Sequence, residues 1–373
     1  MARSPKWLVT TEPQSFGSGW LSGTVAAVLG IAAASAAFSM ASPQWLSLPE
    51  LREQLRSPIA VNSVQAAIII ACILGVLSLA LRRTKTLGVV AIVTSTLAVL
   101  CLQFVDDDSS PHTQQPLGFG LDVFALTLII YTAIFVPLER LWPRYKNQPT
   151  FREEWWTDLM WFLSSALLVQ VTTFLVLTPA EAMQFVASPW LQQKVRELPL
   201  VVQFVAAVCI ADFVQYWVHY ACHRIPVLWR FHQVHHSAKA MDWLAGSRLH
   251  IIDAVLTRAL IYAPLFLLGF DPAAIGAYLV FVVVQATFVH ANVGFVPSWI
   301  EPWLATPRFH HWHHADTPAD KNFAVHLPIY DRLFGTQHMP RNEWPQRYGL
   351  AGGKTGPAGF WRQLLQPFYR QPS

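Results

Sequence analysis

Residues 211–236 read ADFVQYWVHYACHRIPVLWRFHQVHH, an apolar stretch that runs into five histidines within eighteen residues: His219, His223, His232, His235 and His236. His219 and His223 are four apart, and the other three are spaced by three and four. On a helix such spacings stack side chains on one face, so the imidazoles converge instead of radiating. His310, His313 and His314, in FHHWHHAD, repeat the second pattern. The reading is a helix that leaves an apolar environment and delivers paired imidazoles at its end.

Composition places that helix in a membrane. The chain has 373 residues, 53% hydrophobic and only 13% charged, with 16 Trp and 23 Phe. This is too apolar and charge-poor for an ordinary soluble domain. Cys72, Cys101, Cys209 and Cys222 lie in or beside apolar runs without ligand-like spacing, so neither a disulfide framework nor a zinc knuckle is expected. No Gly-rich nucleotide loop, Ser/His/Asp order or basic–aromatic nucleic-acid pattern stands out. All histidines but His112 lie at or after residue 219.

Outward from the opening stretch, apolar runs are expected at about 21–41, 64–81, 87–104, 121–138, 158–178, 200–218, 254–270 and 272–290. The first is about twice a signal-peptide core and reads as a retained span. The last two are joined by a Gly-Phe-Asp-Pro turn at Gly269–Pro272, and Arg258 within the seventh suggests a hairpin that stops short of crossing. Trp155, Trp156 and Trp161 read as interfacial anchors. With the N-terminus in the cytoplasm, 21 basic residues fall inside against Arg52, Arg56, Lys194 and Arg196 outside, where the acidic run Asp106–Asp108 also lies. Both histidine stretches then face the cytoplasm. The expected organisation is a three-span region over 1–117, a functional core over 118–345 and a cytoplasmic tail over 346–373.

Neutral imidazole suits borderline first-row metals, which take four to six donors. His290, in FVHAN, ends the eighth run at the level of the clusters. Nine converging imidazoles exceed what one ion binds and suit two. A nitrogen-rich dinuclear centre beside a membrane points to iron and O₂ chemistry, although nitrogen ligation alone fits zinc as well. The HExxH zinc-protease pattern is absent, and a bis-histidine haem would leave the clusters unexplained. A lone interfacial histidine is usually structural, so His112, His250, His311, His326 and His338 stay outside the ligand set. A metal-handling or metal-sensing membrane protein is the alternative. It requires a polar path across the spans, and few intramembrane charges offer one.

At these residues the chain resembles the fatty acid hydroxylase / sterol desaturase superfamily of integral-membrane di-iron enzymes. The matching elements are HxxxH (His219, His223), LWRFHQVHHS (Leu228–Ser237), FVHAN (Phe288–Asn292), TPRFHHWHH (Thr306–His314) and NFAVHLPIYDRLFGT (Asn322–Thr336). The resemblance implies an all-α, polytopic protein with a four-helix membrane core and a cytoplasmic, histidine-rich metal-binding cap. It implies two iron ions held by His219, His223, His232, His235, His236, His290, His310, His313 and His314. Asp212 is expected to orient a ligand imidazole, with Asn292, Asn322 and Asp331 as similar supports. Tyr220 and Tyr330 depart from the Arg and Trp of many members.

The implied activity is hydroxylation or desaturation of a lipid C–H bond, in a fatty acyl, sterol/hopanoid-like or polar lipid, with O₂ as co-substrate. No segment reads as a haem-b or ferredoxin module, so a separate electron-donor protein, ferredoxin or cytochrome b5-like, is expected. The absence of a eukaryotic retrieval signal points to a bacterial inner membrane.

Overall fold

The computed structural model describes residues 16–41, 54–55, 57–105, 121–167, 175–176 and 187–369. Arg3, Lys6, Asp106–Asp108, His112 and the later part of the fifth apolar run lie outside them. The described regular structure is helical, without strands; Pro143–Val293 and Ala315–Tyr348 form isolated bridges. The chain divides into two compact units.

The first unit comprises Met1–Leu141 with Pro149–Phe151 and Ala166–Gln170. It contains α1 (Trp20–Ala41), α2 (Pro58–Leu81), α3 (Thr86–Leu102) and α4 (Leu121–Leu141). Small residues set its packing. A Cβ on Gly30 would lie 2.9 Å from the Ala91 carbonyl, and one on Gly88 2.7 Å from that of Gly75, so the backbones approach closely. α4 also packs on α1. The first compact unit thus extends to residue 141 and includes the fourth helix.

The second unit comprises Trp142–Gln148, Arg152–Ser165 and Val171–Ser373. Its centre is α7 (Leu200–Arg224), against which α9 (Ile251–Leu268) and α10 (Pro272–His290) pack through Ala207, Ala211, Ile261, Leu265 and Tyr278. The turn between α9 and α10 falls where expected. Gly269 takes the left-handed conformation (φ 71°) that ends α9, and the Asp271 carboxylate accepts from Ala273 N (2.8 Å) to start α10, with Pro272 in its first turn. α7 ends at Pro226, which disfavours helix at Ile225 and turns the chain back into α8 (Pro226–His232). α5 (Trp155–Leu167), α6 (Pro189–Arg196), α11 (Pro307–His313), α12 (Ile329–Phe334) and α13 (Phe360–Leu365) complete the described helices.

By length and composition α1, α2, α7, α9 and α10 can each cross a membrane, and α3 is a shorter apolar helix. Ile69, Ile73 and Val76 on α2 and Val280 and Val283 on α10 are exposed, as lipid-facing positions should be.

Trp161 is not an interfacial anchor. It is fully buried, its indole N–H donates to Gln363 Oε1 (2.8 Å), and its ring packs on Phe360 at 4.7 Å. It lies one turn from buried Asp158, on the inward face of α5, whereas Trp156 is exposed. The contact also docks the terminal segment, read as a surface tail: His250 Nε2 donates to Leu364 O (3.1 Å), and Phe368 packs on Phe231.

Candidate metal centre

α7 carries His219 and His223 on one face of its last turns, with ring centroids 5.2 Å apart. The Pro226 turn returns His232 at the end of α8, and the tight turn His235–Ser237 presents His235 and His236. α10 ends at His290. α11, begun by Thr306 and Pro307, carries His310 and His313, and His314 follows directly.

The nine imidazoles sort into two groups. His219, His223, His232, His236 and His313 form one; His235, His290, His310 and His314 form the other. Within each, one ligand atom per residue lies within 4.8 Å of the rest. Each HxxHH stretch divides between them. His232 and His236 enter the first group and His235 the second, whereas His310 and His314 enter the second and His313 the first. The groups adjoin, with the His236 and His314 rings stacked at 4.5 Å.

Outer partners fix ring orientation. Nδ1–H donates to Phe323 O from His219 (2.7 Å), to Asp320 from His223 (3.1 Å) and to Asp253 from His232 (2.8 Å). It donates to Arg248 O from His235 (3.0 Å), to Ala286 O from His290 (2.6 Å) and to Lys321 O from His313 (2.8 Å). Each bond leaves the Nε2 lone pair for the interior of the cluster, the arrangement that metal-bound histidines use.

The interior nitrogens are short of donors. His223, His236 and His313 Nε2 are buried without a hydrogen-bond partner among the described residues. Others face nitrogen to nitrogen: His219–His232 at 3.0 Å, His235–His290 at 3.3 Å, His290–His310 at 3.0 Å and His310–His314 at 3.1 Å. An unmet buried polar atom costs about 1–3 kcal/mol, and a cation in each group would satisfy these nitrogens together. The donor set therefore fits two borderline first-row ions.

Burial, and then the charge of neighbouring imidazoles, holds His236, His310 and His314 well below the ordinary histidine range, and burial does the same for His235 and His313. They are neutral imidazoles at neutral pH. In the unfolded chain they titrate near pH ~6.5. Below that pH the unfolded state binds more protons than the folded one, so stability is full above about pH 6.5 and falls as the pH drops toward the folded values. Metal-stripped protein should melt at a lower temperature at pH ~5.5 than at pH ~7.5. An unchanged melting temperature would show that these rings are not buried in neutral form.

The four expected supports act on backbone. Asp212 does not orient an imidazole: its carboxylate accepts from the N–H groups of Val325, His326 and Leu327 (3.2, 3.0 and 2.7 Å). Seven residues along a helix place it roughly 10 Å from His219, beyond carboxylate reach. Asp331 accepts from Phe323 N and Ala324 N (both 2.8 Å) and so fixes the strand of chain that holds His219. The Asn322 side chain donates to Phe309 O and His338 O, and Asn292 bonds to the Tyr145 backbone.

The carboxylates that do bond clustered imidazoles are Asp253 and Asp320, on His232 and His223, and the sequence reading includes neither. A carboxylate in the first turn of an apolar helix was the available signal for Asp253. Gly246 also escaped notice, although a Cβ there would lie 2.8 Å from His290 Nδ1. Two buried arginines brace that loop: Arg152 pairs with Asp242 and Asp158, and Arg248 with Asp158 and Glu154. Of the histidines left outside the set, His250 caps α9 and His311 bridges Tyr348 and the His290 carbonyl. His326 and His338 pack on Phe281 and Trp312.

Known proteins share these segments. The fatty acid hydroxylase family matches residues 204–336. The ornithine lipid hydroxylase OlsE of Rhizobium tropici is 31% identical over 257 residues, covering 66% of this chain and 76% of its own. Alkylglycerol monooxygenase of Homo sapiens is 32% identical over 127 residues, 34% of this chain and 28% of its own. The very-long-chain aldehyde decarbonylase GL1-5 of Oryza sativa subsp. indica is 27% identical over 136 residues, 34% of this chain and 22% of its own. The chain thus spans under a third of the latter two. No solved structure matches it. With its histidine segments inside the matched region, the chain belongs to the fatty acid hydroxylase family of integral-membrane oxidoreductases acting on lipids.

Proposed function

We propose that each histidine group holds one iron ion and that the protein hydroxylates a C–H bond of a polar acyl lipid. The observation that carries this reading is the partition of nine imidazoles into groups of five and four with their lone pairs turned inward. The likeness to an ornithine lipid hydroxylase over most of that protein's length supports a polar lipid and hydroxylation.

The reaction is R–H + O₂ + 2 e⁻ + 2 H⁺ → R–OH + H₂O. When bound, the two ions supply the reductive activation of O₂ that an unactivated C–H bond requires. The remainder is the work of this chain. Asp253, Asp320 and the carbonyls of Phe323, Arg248, Ala286 and Lys321 hold the ligand rings in one tautomer. Fully buried Phe323 packs against His219, His223 and His313 and excludes water there. Asp212, Asn292, Asn322 and Asp331 position the backbone beneath the rings.

The ligands at the ends of α7 and α10 put the reacting carbon close to the membrane surface, so the lipid enters from the bilayer. The excess of basic residues in the same connections supports a cytoplasmic site in a bacterial inner membrane. The electrons come from a separate ferredoxin or cytochrome b5-like protein. All nine ligands lie within 118–345, the segment read as the functional core.

Mass spectrometry of lipid extracts from cells with and without the gene tests the activity. The expected result is a polar acyl lipid carrying one additional oxygen. Loss of two hydrogens instead would make the enzyme a desaturase, and identical lipidomes would remove the reading.

A further inference from the structure

One face of the second unit carries a cavity bordered by three of the clustered histidines. The cavity, of about 240 Å³, is lined by His223, His236 and His313, together with Trp229, Asp320 and Gly349. Gly349 also lines a neighbouring cavity of about 400 Å³, around which stand Lys239, Arg347 and Lys354. The strap between them is registered on a ligand segment, because Asp316 N donates to Arg347 O and Gly349 N to His314 O, each at 3.2 Å.

The charge on this face is one-sided. Asp316 pairs with Arg347 (3.0 Å) and Asp320 with Arg224 (3.3 Å), so both carboxylates lining the cavities are matched. Lys239 and Lys354 are exposed and have no ion-pair partner among the described residues. No large apolar side chain lining either cavity is exposed, which disfavours insertion into a lipid surface. Trp229 is half-buried at the opening. Its ring lies 5.0 Å from that of His223 and 5.5 Å from that of His236, a short aromatic path from surface to ligands.

We propose that this face is where an acidic one-electron carrier protein docks and delivers the reducing equivalents, an inference that rests on the oxygenase reading above. Each turnover takes two electrons, one from each of two carrier encounters. The carrier is oxidised, and O₂ is reduced to the product hydroxyl and water. The unmatched lysines steer the acidic partner to the opening, and Trp229 spans the remaining gap.

The test uses the full chain in nanodiscs, an acidic plant-type [2Fe–2S] ferredoxin as probe, and the K239E/K354E variant. K194E, on α6, serves as a remote-surface control with half that change in charge. Wild type should bind the ferredoxin with an affinity that falls as salt rises. The double variant should bind roughly tenfold more weakly at low salt, and ferredoxin should reduce its metal centre correspondingly more slowly. Metal content, melting temperature and product from a single turnover after dithionite reduction should stay at wild-type values, and K194E should behave as wild type throughout.

Equal ferredoxin affinity in wild type and double variant overturns the proposal. So does absence of ferredoxin binding to wild type, or a loss that follows the anionic lipid content of the disc instead of the ferredoxin. Failure of dithionite-reduced wild type to form product would count against the oxygenase reading, and leaves the docking result to stand on the affinities.

Discussion

His235→Ala should empty the four-histidine group and abolish lipid oxidation, whereas His223→Ala should weaken metal binding without emptying its group. The difference follows from donor number. Removing His235 leaves three imidazoles, His290, His310 and His314, below the four to six donors such ions take; removing His223 leaves four. His235 also bridges to His290 at 3.3 Å and rests on the Arg248 carbonyl, so its loss unsettles a second ligand. The fall in activity should exceed the roughly 10–100-fold that removal of an outer partner costs. Metal stoichiometry by plasma mass spectrometry, beside product by lipid mass spectrometry, reads both. Full metal and full product in His235→Ala would overturn the ligand assignment.

Arg152→Met should be the most destabilising single change outside the metal centre. Arg152 is almost wholly buried and binds Asp242 through two bonds of 2.7 Å and Asp158 at 2.6 Å. Methionine leaves two buried carboxylates with one fewer cation, at a cost of about 3–5 kcal/mol, a large part of the ~5–15 kcal/mol by which a typical fold is stable. Asp242 also accepts from Leu244 N and Ala245 N, which begin the loop presenting Gly246 and Arg248 to the four-histidine group. The variant should therefore melt earlier and lose metal together. A melting curve that matches wild type would show that the ion cluster is peripheral to the fold.

What could be read from sequence follows the range of the interactions concerned. The apolar runs within the described residues, the Gly269–Pro272 turn and the two HxxHH stretches are set by neighbours within a few residues, and they appear where expected. The nine histidines also converge, but helix spacing accounts only for His219 with His223 and for the pairs on α11. His235 and His236 lie on the turn after α8, and each HxxHH stretch divides between the two groups through tertiary packing. Asp253 and Asp320 reach their imidazoles across 21 and 97 positions, and no local pattern marks such pairs. Asp212 drew attention through proximity in sequence, yet serves a backbone segment more than a hundred positions away. Trp161 flanks the start of an apolar run, where an aromatic residue is as apt for an interface as for a core. Its tie to Gln363 is settled only by tertiary packing.

That tie has a consequence for the order of synthesis. Residues 360–368 hold α5 through Trp161, Phe231 beside the ligand His232, and His250 at the start of the helix that carries Asp253. They emerge from the ribosome after every ligand has been made. A chain truncated between His314 and Phe360 therefore carries the complete imidazole set while lacking the clasp over two of its supports. The contacts that residues 360–368 make with these supports are thus completed only after the last histidine segment has been made.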